Sequence, residues 1–200
     1  MDDFEIQRRK GENDEYICEL IRNDSIELFV QYVNKTNLSL SNTIINPSIF
    51  ETNNFLIKNK PTLIEYAAFY GSIQIFQYLK FNNVEMMPSL WFYVIHSQNS
   101  EMILFLEENN VEPPNDEYES CLNESIKCHH NDFVKYFQDK FLLNANESYY
   151  KFIFKYYNYE MISDEIRNNS FFYFMSFYNY SELVNLYIKP KQNEVIEKII

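Results

Sequence analysis

The 200-residue sequence has only two glycines, Gly11 and Gly71. A loop that binds phosphate needs several glycines so that backbone N–H groups can converge on the anion, which excludes a P-loop and a dinucleotide-binding fingerprint. The sequence also has no G-x-S-x-G motif, no H-E-x-x-H motif and no EF-hand loop. These absences predict a protein that is not an enzyme, has no catalytic residues and uses no cofactor.

Basic residues are scarce as well, with 17 Lys and Arg against 29 Asp and Glu and a formal net charge of −12. Binding to nucleic acid requires a basic face, so we expect no nucleic-acid partner. The densest basic cluster, residues 7–10, lies between acidic residues and is typical of a solvated terminal segment. An acidic chain is better suited to a protein partner with a basic or mixed surface.

Long apolar runs are also missing. No stretch approaches the roughly 18 apolar residues of a membrane-spanning helix. The opening residues, MDDFEIQRRK, lack the apolar core of a signal peptide. Three cysteines do not form an even disulfide framework. Together these features predict a cytoplasmic protein without a membrane partner.

Apolar and aromatic residues, in contrast, are abundant, at 46% and 18% of the chain. This content is enough to bury a core in a chain of this length.

Small residues are concentrated in one stretch, PTLIEYAAFYGSIQIFQYLK, residues 61–80. Thr62 and Glu65 have the spacing of a capping box, which marks the start of a helix. Apolar residues then recur at helical spacing up to Gly71. Glycine adopts a positive φ most freely, so Gly71 indicates a tight turn between two helices.

The apolar register of this stretch recurs three times, at shifts of 27, 58 and 108 residues. Its seven columns in the first copy are Leu63, Ile64, Ala67, Ala68, Ile75, Phe76 and Leu79. Nearly every column stays apolar or small in the other copies, and the first two copies end with the same pair, Val84-Glu85 and Val111-Glu112. Two weaker units, 17–33 and 149–162, complete a predicted all-α series of helix pairs.

We expect one domain over residues 1–200, divided into segments of different character. These segments are a polar tail (1–14), a first helix pair (15–33), an insertion (34–60), the three clearest repeats (61–141) and degenerate repeats (142–200). In the insertion, the apolar residues 49–50 and 55–57 are expected to cover the core in one or two short helices.

Residues 62–71, TLIEYAAFYG, resemble the ankyrin signature T-P-L-H-x-A-A-x-x-G. From Gly11 to roughly Phe141 the chain is similar to the N-terminal domain of unknown function of divergent protozoan ankyrin-repeat proteins. The stretches GENDEYICELIRND, PSIFETNNFLI and PSLWFYVIHS carry this resemblance. It implies an α-solenoid of stacked helix-turn-helix repeats. The copies lie 27 and 31 residues apart, against about 33 in ankyrin repeats, so we expect shortened or absent β-hairpins.

The same resemblance implies a non-catalytic scaffold or adaptor that binds other proteins. Ankyrin proteins bind partners through the two residues before each inter-helix turn and through the loops between repeats. The matching helix positions are Phe69, Tyr70, His96, Ser97, Lys127 and Cys128, and more weakly Phe177 and Tyr178. The matching loop positions are Glu85, Met86, Met87, Glu112 and Glu117. Alternatively, the insertion 34–60 covers Phe69 and Tyr70.

Two other functions remain open. Cys121, Cys128, His129 and His130 are the only metal-like group and could form a small metal-binding domain. The register instead places Cys121 in the core and both histidines at an inter-helix turn, so we expect no metal. Solenoids usually end in a polar cap, whereas residues 195–200 are largely apolar. This end therefore indicates either a piece of a longer repeat array or a structural array whose end pairs with another copy. The partner's identity and the oligomeric state do not follow from the sequence.

Overall fold

A computed structural model describes residues 3–114, 117–141, 143, 147–162, 173–174 and 176–180. Over these residues the chain folds into eleven α-helices and a 3-10 helix, and its only β structure is a single bridge between Ile44 and Thr62. The all-α prediction is therefore confirmed for this part of the chain. The columns of the last repeat copy at positions 171, 172, 175, 183, 184 and 187 lie outside the described residues, as does the segment 195–200.

The chain forms two compact units, an N-terminal unit of residues 1–117 and a C-terminal unit of residues 118–200. Their boundary falls inside the stretch 61–141 that contains the three clearest repeats. The N-terminal unit contains α1 (Asp3–Lys10), α2 (Tyr16–Arg22), α3 (Ile26–Thr36), α4 (Asn54–Asn59), α5 (Leu63–Tyr70), α6 (Ile73–Phe81), α7 (Leu90–Ser97) and α8 (Ser100–Glu108). The C-terminal unit contains α9 (Tyr118–Cys128), α10 (Asn131–Phe141), α11 (Glu147–Lys155) and the 3-10 helix Tyr159–Met161.

The helices pack in consecutive pairs, α2 with α3, α5 with α6, α7 with α8 and α9 with α10. Within the N-terminal unit, α5 lies between α2 and α7, and α3 packs on α6. All seven register columns are buried in each of the first three copies. This confirms the periodicity of the apolar residues, because a different register would turn polar side chains into the core.

The pair Ala67 and Ala68 lies on α5, which packs on both α2 and α7, and both residues are fully buried. Their methyl side chains fill little space, which suits a helix with neighbours on two sides. The equivalent positions on α7 carry the larger residues Val94 and Ile95. The position of α5 between two helices is consistent with the concentration of small residues in the stretch 61–80.

Each inter-helix turn contains one residue with a positive φ. Gly71 has a φ of 67°, and Asp24, Gln98 and His129 have φ values of 47°, 55° and 60°. In three of these turns the next residue donates its N–H to a carbonyl five residues earlier, for example Ser72 to Ala67 at 2.9 Å. Such a bond satisfies a free carbonyl at the end of a helix. The turn predicted at Gly71 is therefore confirmed, and residues other than glycine adopt the same positive φ in the other three turns.

The segments outside the repeats differ from the sequence expectations in several details. The polar tail forms α1, whose residues are all solvent-accessible, with the Phe4 ring 5.3 Å from that of Phe50. Helix α3 runs three residues past the predicted end of the first pair. The insertion contains one helix, α4, which buries Leu56. Ile49 and Ile57 do not cover the core, since they are 86% and 37% exposed.

Candidate functional site

Four predicted partner-binding positions come together at the C-terminal ends of α5 and α7. Phe69 and Tyr70 end α5, and His96 and Ser97 end α7. The ring centroids of Phe69 and His96 are 5.2 Å apart in a stacked arrangement. All four residues are half-buried. The repeat register thus places Phe69 of one pair beside His96 of the next.

Phe55 of α4 lies against this cluster. Its ring centroid is 4.2 Å from that of His96, 6.1 Å from that of Phe69 and 5.0 Å from that of Tyr93. Asn53 fixes the start of α4, since its side-chain oxygen accepts hydrogen bonds from the N–H groups of Phe55 and Leu56. The insertion therefore covers Phe69 and His96 in part. The sequence signal for this was the apolar run 55–57 within the insertion.

Tyr70 belongs to a separate polar cluster around the guanidinium of Arg22. One Arg22 nitrogen donates hydrogen bonds to the Asn13 carbonyl at 2.8 Å and to the Tyr66 hydroxyl at 3.0 Å. The guanidinium also forms an ion pair with Glu12 at 3.1 Å and lies 5.9 Å from the centre of the Tyr70 ring. Burial raises the pKa values of both tyrosines. The phenols thus stay neutral, and the cluster attaches the segment before α2 to α5.

Ser97 has a local role in its turn. Its hydroxyl donates to the Val94 carbonyl at 2.7 Å and accepts a hydrogen bond from the Asn99 N–H at 3.1 Å. Asn99 in turn accepts a hydrogen bond from the Glu101 N–H at the start of α8. These bonds connect the end of α7 to the beginning of α8, and they occupy the polar atoms of Ser97.

The loop between α6 and α7 contributes to an open groove of about 320 Å³. Glu85 and Met87 line one part of this groove, and residues 41 and 42 of the insertion line another. Glu85 is exposed, Met87 is 49% exposed and Met86 is half-buried. We call this feature the loop groove. It contains two of the predicted loop positions.

The floor of the loop groove is held by Glu65 at the start of α5. Its carboxylate accepts hydrogen bonds from the Thr62 N–H at 2.9 Å and from the Ser89 hydroxyl at 2.6 Å. The predicted capping residue is thus shared between the starts of two repeats. Glu85, in contrast, has no hydrogen-bond or ion-pair partner within the described residues, so its carboxylate is available to a ligand.

Glu112 and Glu117 are exposed near the end of the N-terminal unit. The loop before Glu112 is anchored by the buried indole of Trp91, which donates a hydrogen bond to the Val111 carbonyl at 2.7 Å. This bond fixes the backbone next to Glu112, and Pro113 on the other side is buried.

In the C-terminal unit, Lys127 and Cys128 lie at the end of α9. Lys127 is exposed and forms an ion pair with Glu124 at 2.6 Å. Burial, together with the negative charge of Glu124, raises the pKa of the Cys128 thiol to about 12. Burial likewise raises the pKa of Cys121 to about 12. Both residues therefore carry thiols at neutral pH in this arrangement, which makes them weak nucleophiles.

The histidines after α9 occupy the predicted turn. The exposed His129 shares a hydrogen bond with the Tyr156 carbonyl, at 2.7 Å from its Nε2 atom, and the His130 N–H bonds to the Ser125 carbonyl. A metal ion would need at least three ligand atoms close to one another. Within the described part of the chain, no group of three among Cys121, Cys128, His129 and His130 meets this condition. The weaker predicted positions Phe177 and Tyr178 lie further along, with ring centroids 5.0 Å apart.

One polar residue that the sequence did not single out joins successive helix pairs. The Asp24 carboxylate, in the turn after α2, accepts hydrogen bonds from the N–H groups of Gln74 and Ile75, each at 2.9 Å. It thereby caps α6 from a different helix pair. The bond crosses 50 residues of sequence, so local capping rules could not identify it.

The longest described helices, α3, α9 and α10, have 11 residues each, and no helix in the described ranges is long and apolar enough to cross a bilayer. Comparison with known proteins gave no match among family models, curated proteins or solved structures.

Proposed function

We propose that this chain is a non-catalytic protein-interaction module built from stacked, ankyrin-like helix pairs with shortened hairpins. Support comes from the burial of all seven columns in three copies and from the position of α5 between α2 and α7. The loops after α6 and α8 also share one geometry. The Val84 and Val111 N–H groups bond to the Leu79 and Leu106 carbonyls at 3.1 and 3.0 Å. A repeated backbone arrangement of this kind is expected of a stack of equivalent units.

The loop groove is the surface that we assign to the partner. The observation that carries this assignment is the exposed Glu85 carboxylate at the edge of an open groove of about 320 Å³. The other predicted surface, at Phe69 and His96, is partly occupied by Phe55. A partner that binds at the ends of α5 and α7 would have to displace α4, whereas the loop groove needs no such rearrangement.

The chemistry of the loop groove favours a basic or mixed partner segment. Glu85 can pair with a lysine or arginine, and Met87 offers a flexible apolar contact beside it. The net charge of −12 adds long-range attraction to a basic partner. Three free cysteines, Cys18, Cys121 and Cys128, fit a reducing compartment, and we place the protein in the cytoplasm.

Quantitative affinity capture tests this proposal. The bait is the full chain, either wild type or with Glu85→Lys and Met87→Ala combined, and captured proteins are compared by mass spectrometry. We expect a set of proteins that wild type retains and the double variant loses, because charge reversal repels a basic segment. Each protein in that set is then purified and its dissociation constant is measured with both baits.

The control bait carries Glu27→Lys together with Leu28→Ala on α3, where both residues are exposed. It makes the same kinds of change at a site that the proposal does not use. Retention of the captured set by this control supports the loop groove. Equal loss with both baits, or equal retention by all three, contradicts the assignment.

A further inference from the structure

A second groove lies between α6 and α8 and encloses about 250 Å³. All of its lining residues belong to these two helices, and most of them are apolar: Ile73, Phe76, Gln77, Glu101, Met102, Leu104, Phe105 and Glu108. We call it the outer groove. Phe76 and Phe105 meet across its floor with ring centroids 5.3 Å apart, and Leu104 is 51% exposed at its edge.

The face of α8 that borders the outer groove has a regular charge pattern. Glu101, Leu104, Phe105 and Glu108 follow the spacing i, i+3, i+4 and i+7, which places them on one side of the helix. Two carboxylates about 10 Å apart along the helix therefore flank two apolar side chains. Both carboxylates lack a hydrogen-bond or ion-pair partner within the described residues.

The neighbouring lysine is already engaged. Lys80 of α6 lies over the Phe105 ring, 4.8 Å from its centre, and bonds to the Asn109 side chain at the end of α8. These contacts hold the Phe105 ring in place as a wall of the outer groove. They leave Glu101 and Glu108 as acidic groups without a cation of this unit bonded to them.

We propose that the outer groove binds an amphipathic helix of a partner protein, with apolar side chains in the groove and basic residues facing Glu101 and Glu108. Charge complementarity identifies this occupant. A helix with lysine or arginine at positions seven apart matches the separation of the two carboxylates. Its apolar residues, three and four positions after the first basic residue, enter the space between α6 and α8, as in other helix-in-groove complexes.

This site is independent of the loop groove. Its lining residues all come from α6 and α8, whereas the loop groove is lined by the insertion, the starts of α5 and α7 and the loop between α6 and α7. The chain would then have one site for a basic segment at its loops and another for a basic, amphipathic helix on its second helices.

The test uses a fluorescein-labelled synthetic helix of sixteen residues, with leucines at i+3 and i+4 between lysines at i and i+7. Its affinity for the full chain is measured by fluorescence anisotropy. Two peptides serve as controls, one with the same composition in scrambled order and one with glutamate in place of lysine. We expect the amphipathic peptide to bind at least about tenfold more tightly than either control.

Variants of the full chain locate the site. Leu104→Ser, at a half-exposed position, is expected to weaken the amphipathic peptide about tenfold, and the pair Glu101→Gln and Glu108→Gln about fivefold. The matched control pair, Glu19→Gln and Glu27→Gln, removes two exposed carboxylates elsewhere and should leave the affinity unchanged. Thermal melts confirm that each variant is folded.

Methyl spectra of the isotope-labelled chain give a second readout that does not depend on variants. The peptide should shift the signals of Ile73 and Met102 before those of isoleucines and methionines elsewhere. Absence of binding, equal binding of the scrambled peptide, or equal weakening by the control pair would each overturn the proposal. Shifts confined to other residues would also overturn it.

Discussion

The helix pairs α5–α6 and α7–α8 face each other in two places, first helix to first helix and second helix to second helix. Only the first of these faces is closely packed and covered. On the first-helix face, α5 packs directly on α7, and Phe55 of the insertion covers Phe69 and His96. On the second-helix face, α6 and α8 approach each other through side chains and leave the outer groove between them. One repeat register thus produces a closed face and an open face in the same unit.

Side-chain size explains the difference. Ala67 and Ala68 are fully buried on α5, which packs on α2 and α7, and their methyl groups fill little space. On the other face, Phe76 and Phe105 meet ring to ring and keep α6 and α8 apart. Sequence periodicity assigns both sets of residues to helices, but the sizes of facing residues decide which helices close together.

The largest loss of stability is expected when an alanine on the closed face is enlarged. We expect Ala68→Leu to lower the free energy of unfolding by about 3 kcal/mol, because the added side chain overpacks the contact between α5 and its neighbours. The matched control, Gln77→Leu, places the same residue in the outer groove and should change the free energy by no more than about 0.5 kcal/mol. Urea denaturation measures both; equal effects would contradict the difference between the faces.

Removing the cover from the closed face should have the next largest effect. Phe55→Ala deletes a half-buried ring that contacts Phe69, Tyr93 and His96, so we expect a loss of about 2 kcal/mol. Phe81, an aromatic on α6 that is 87% exposed, provides the control. Phe81→Ala should cost less than about 0.5 kcal/mol in the same urea assay. If the two variants unfold alike, Phe55 is not a structural cover.

A smaller loss is expected from the hydrogen bonds that join successive helix pairs. Asp24→Ala removes the acceptor for the N–H groups of Gln74 and Ile75, which should cost about 1 kcal/mol. Asp24→Asn keeps one side-chain acceptor and should cost less. Amide hydrogen exchange at positions 74 and 75 locates the effect. Unchanged exchange in Asp24→Ala would show that the carboxylate does not cap α6.

The smallest effect is expected at the turns, where the repeats differ in the residue that has the positive φ. Gln98→Gly should raise the free energy of unfolding by about 0.5 kcal/mol, since glycine relieves the positive φ of 55° but adds chain entropy to the unfolded state. The reciprocal change, Gly71→Gln, should lower it. Differential scanning calorimetry of the two variants checks the signs, and a lower melting temperature for Gln98→Gly would contradict this account.

The sequence predicted much of the fold because burial follows the helical period. The capping box at Thr62 and Glu65, the turn at Gly71 and the buried columns were all accessible from local patterns. The exposure of Ile49 and Ile57 was not. Ile49 lies in an irregular segment, where no period assigns it a face, and Ile57 lies on α4, whose six residues are too few to establish one. The helix in the polar tail was missed for a similar reason, since none of the residues of α1 is buried.

The candidate site was predictable only in part. The register brought Phe69 and His96 together, yet their cover by Phe55 depends on how the insertion folds back. The partly buried cluster around Arg22 joins residues from separate segments, including Tyr66 at 44 positions away. A sequence pattern records spacing along one helix, and it gives no direct information about pairs that meet across such distances.

The spacing of apolar and small residues along the sequence is enough to predict helix pairs with one buried face, because it allows few other arrangements. Which surfaces remain open depends on how the helices pack. The loop groove and the outer groove form where side chains from distant segments do not fill the space between them. Whether they fill it depends on the sizes and positions of residues that are far apart in the sequence, and no local pattern connects such residues.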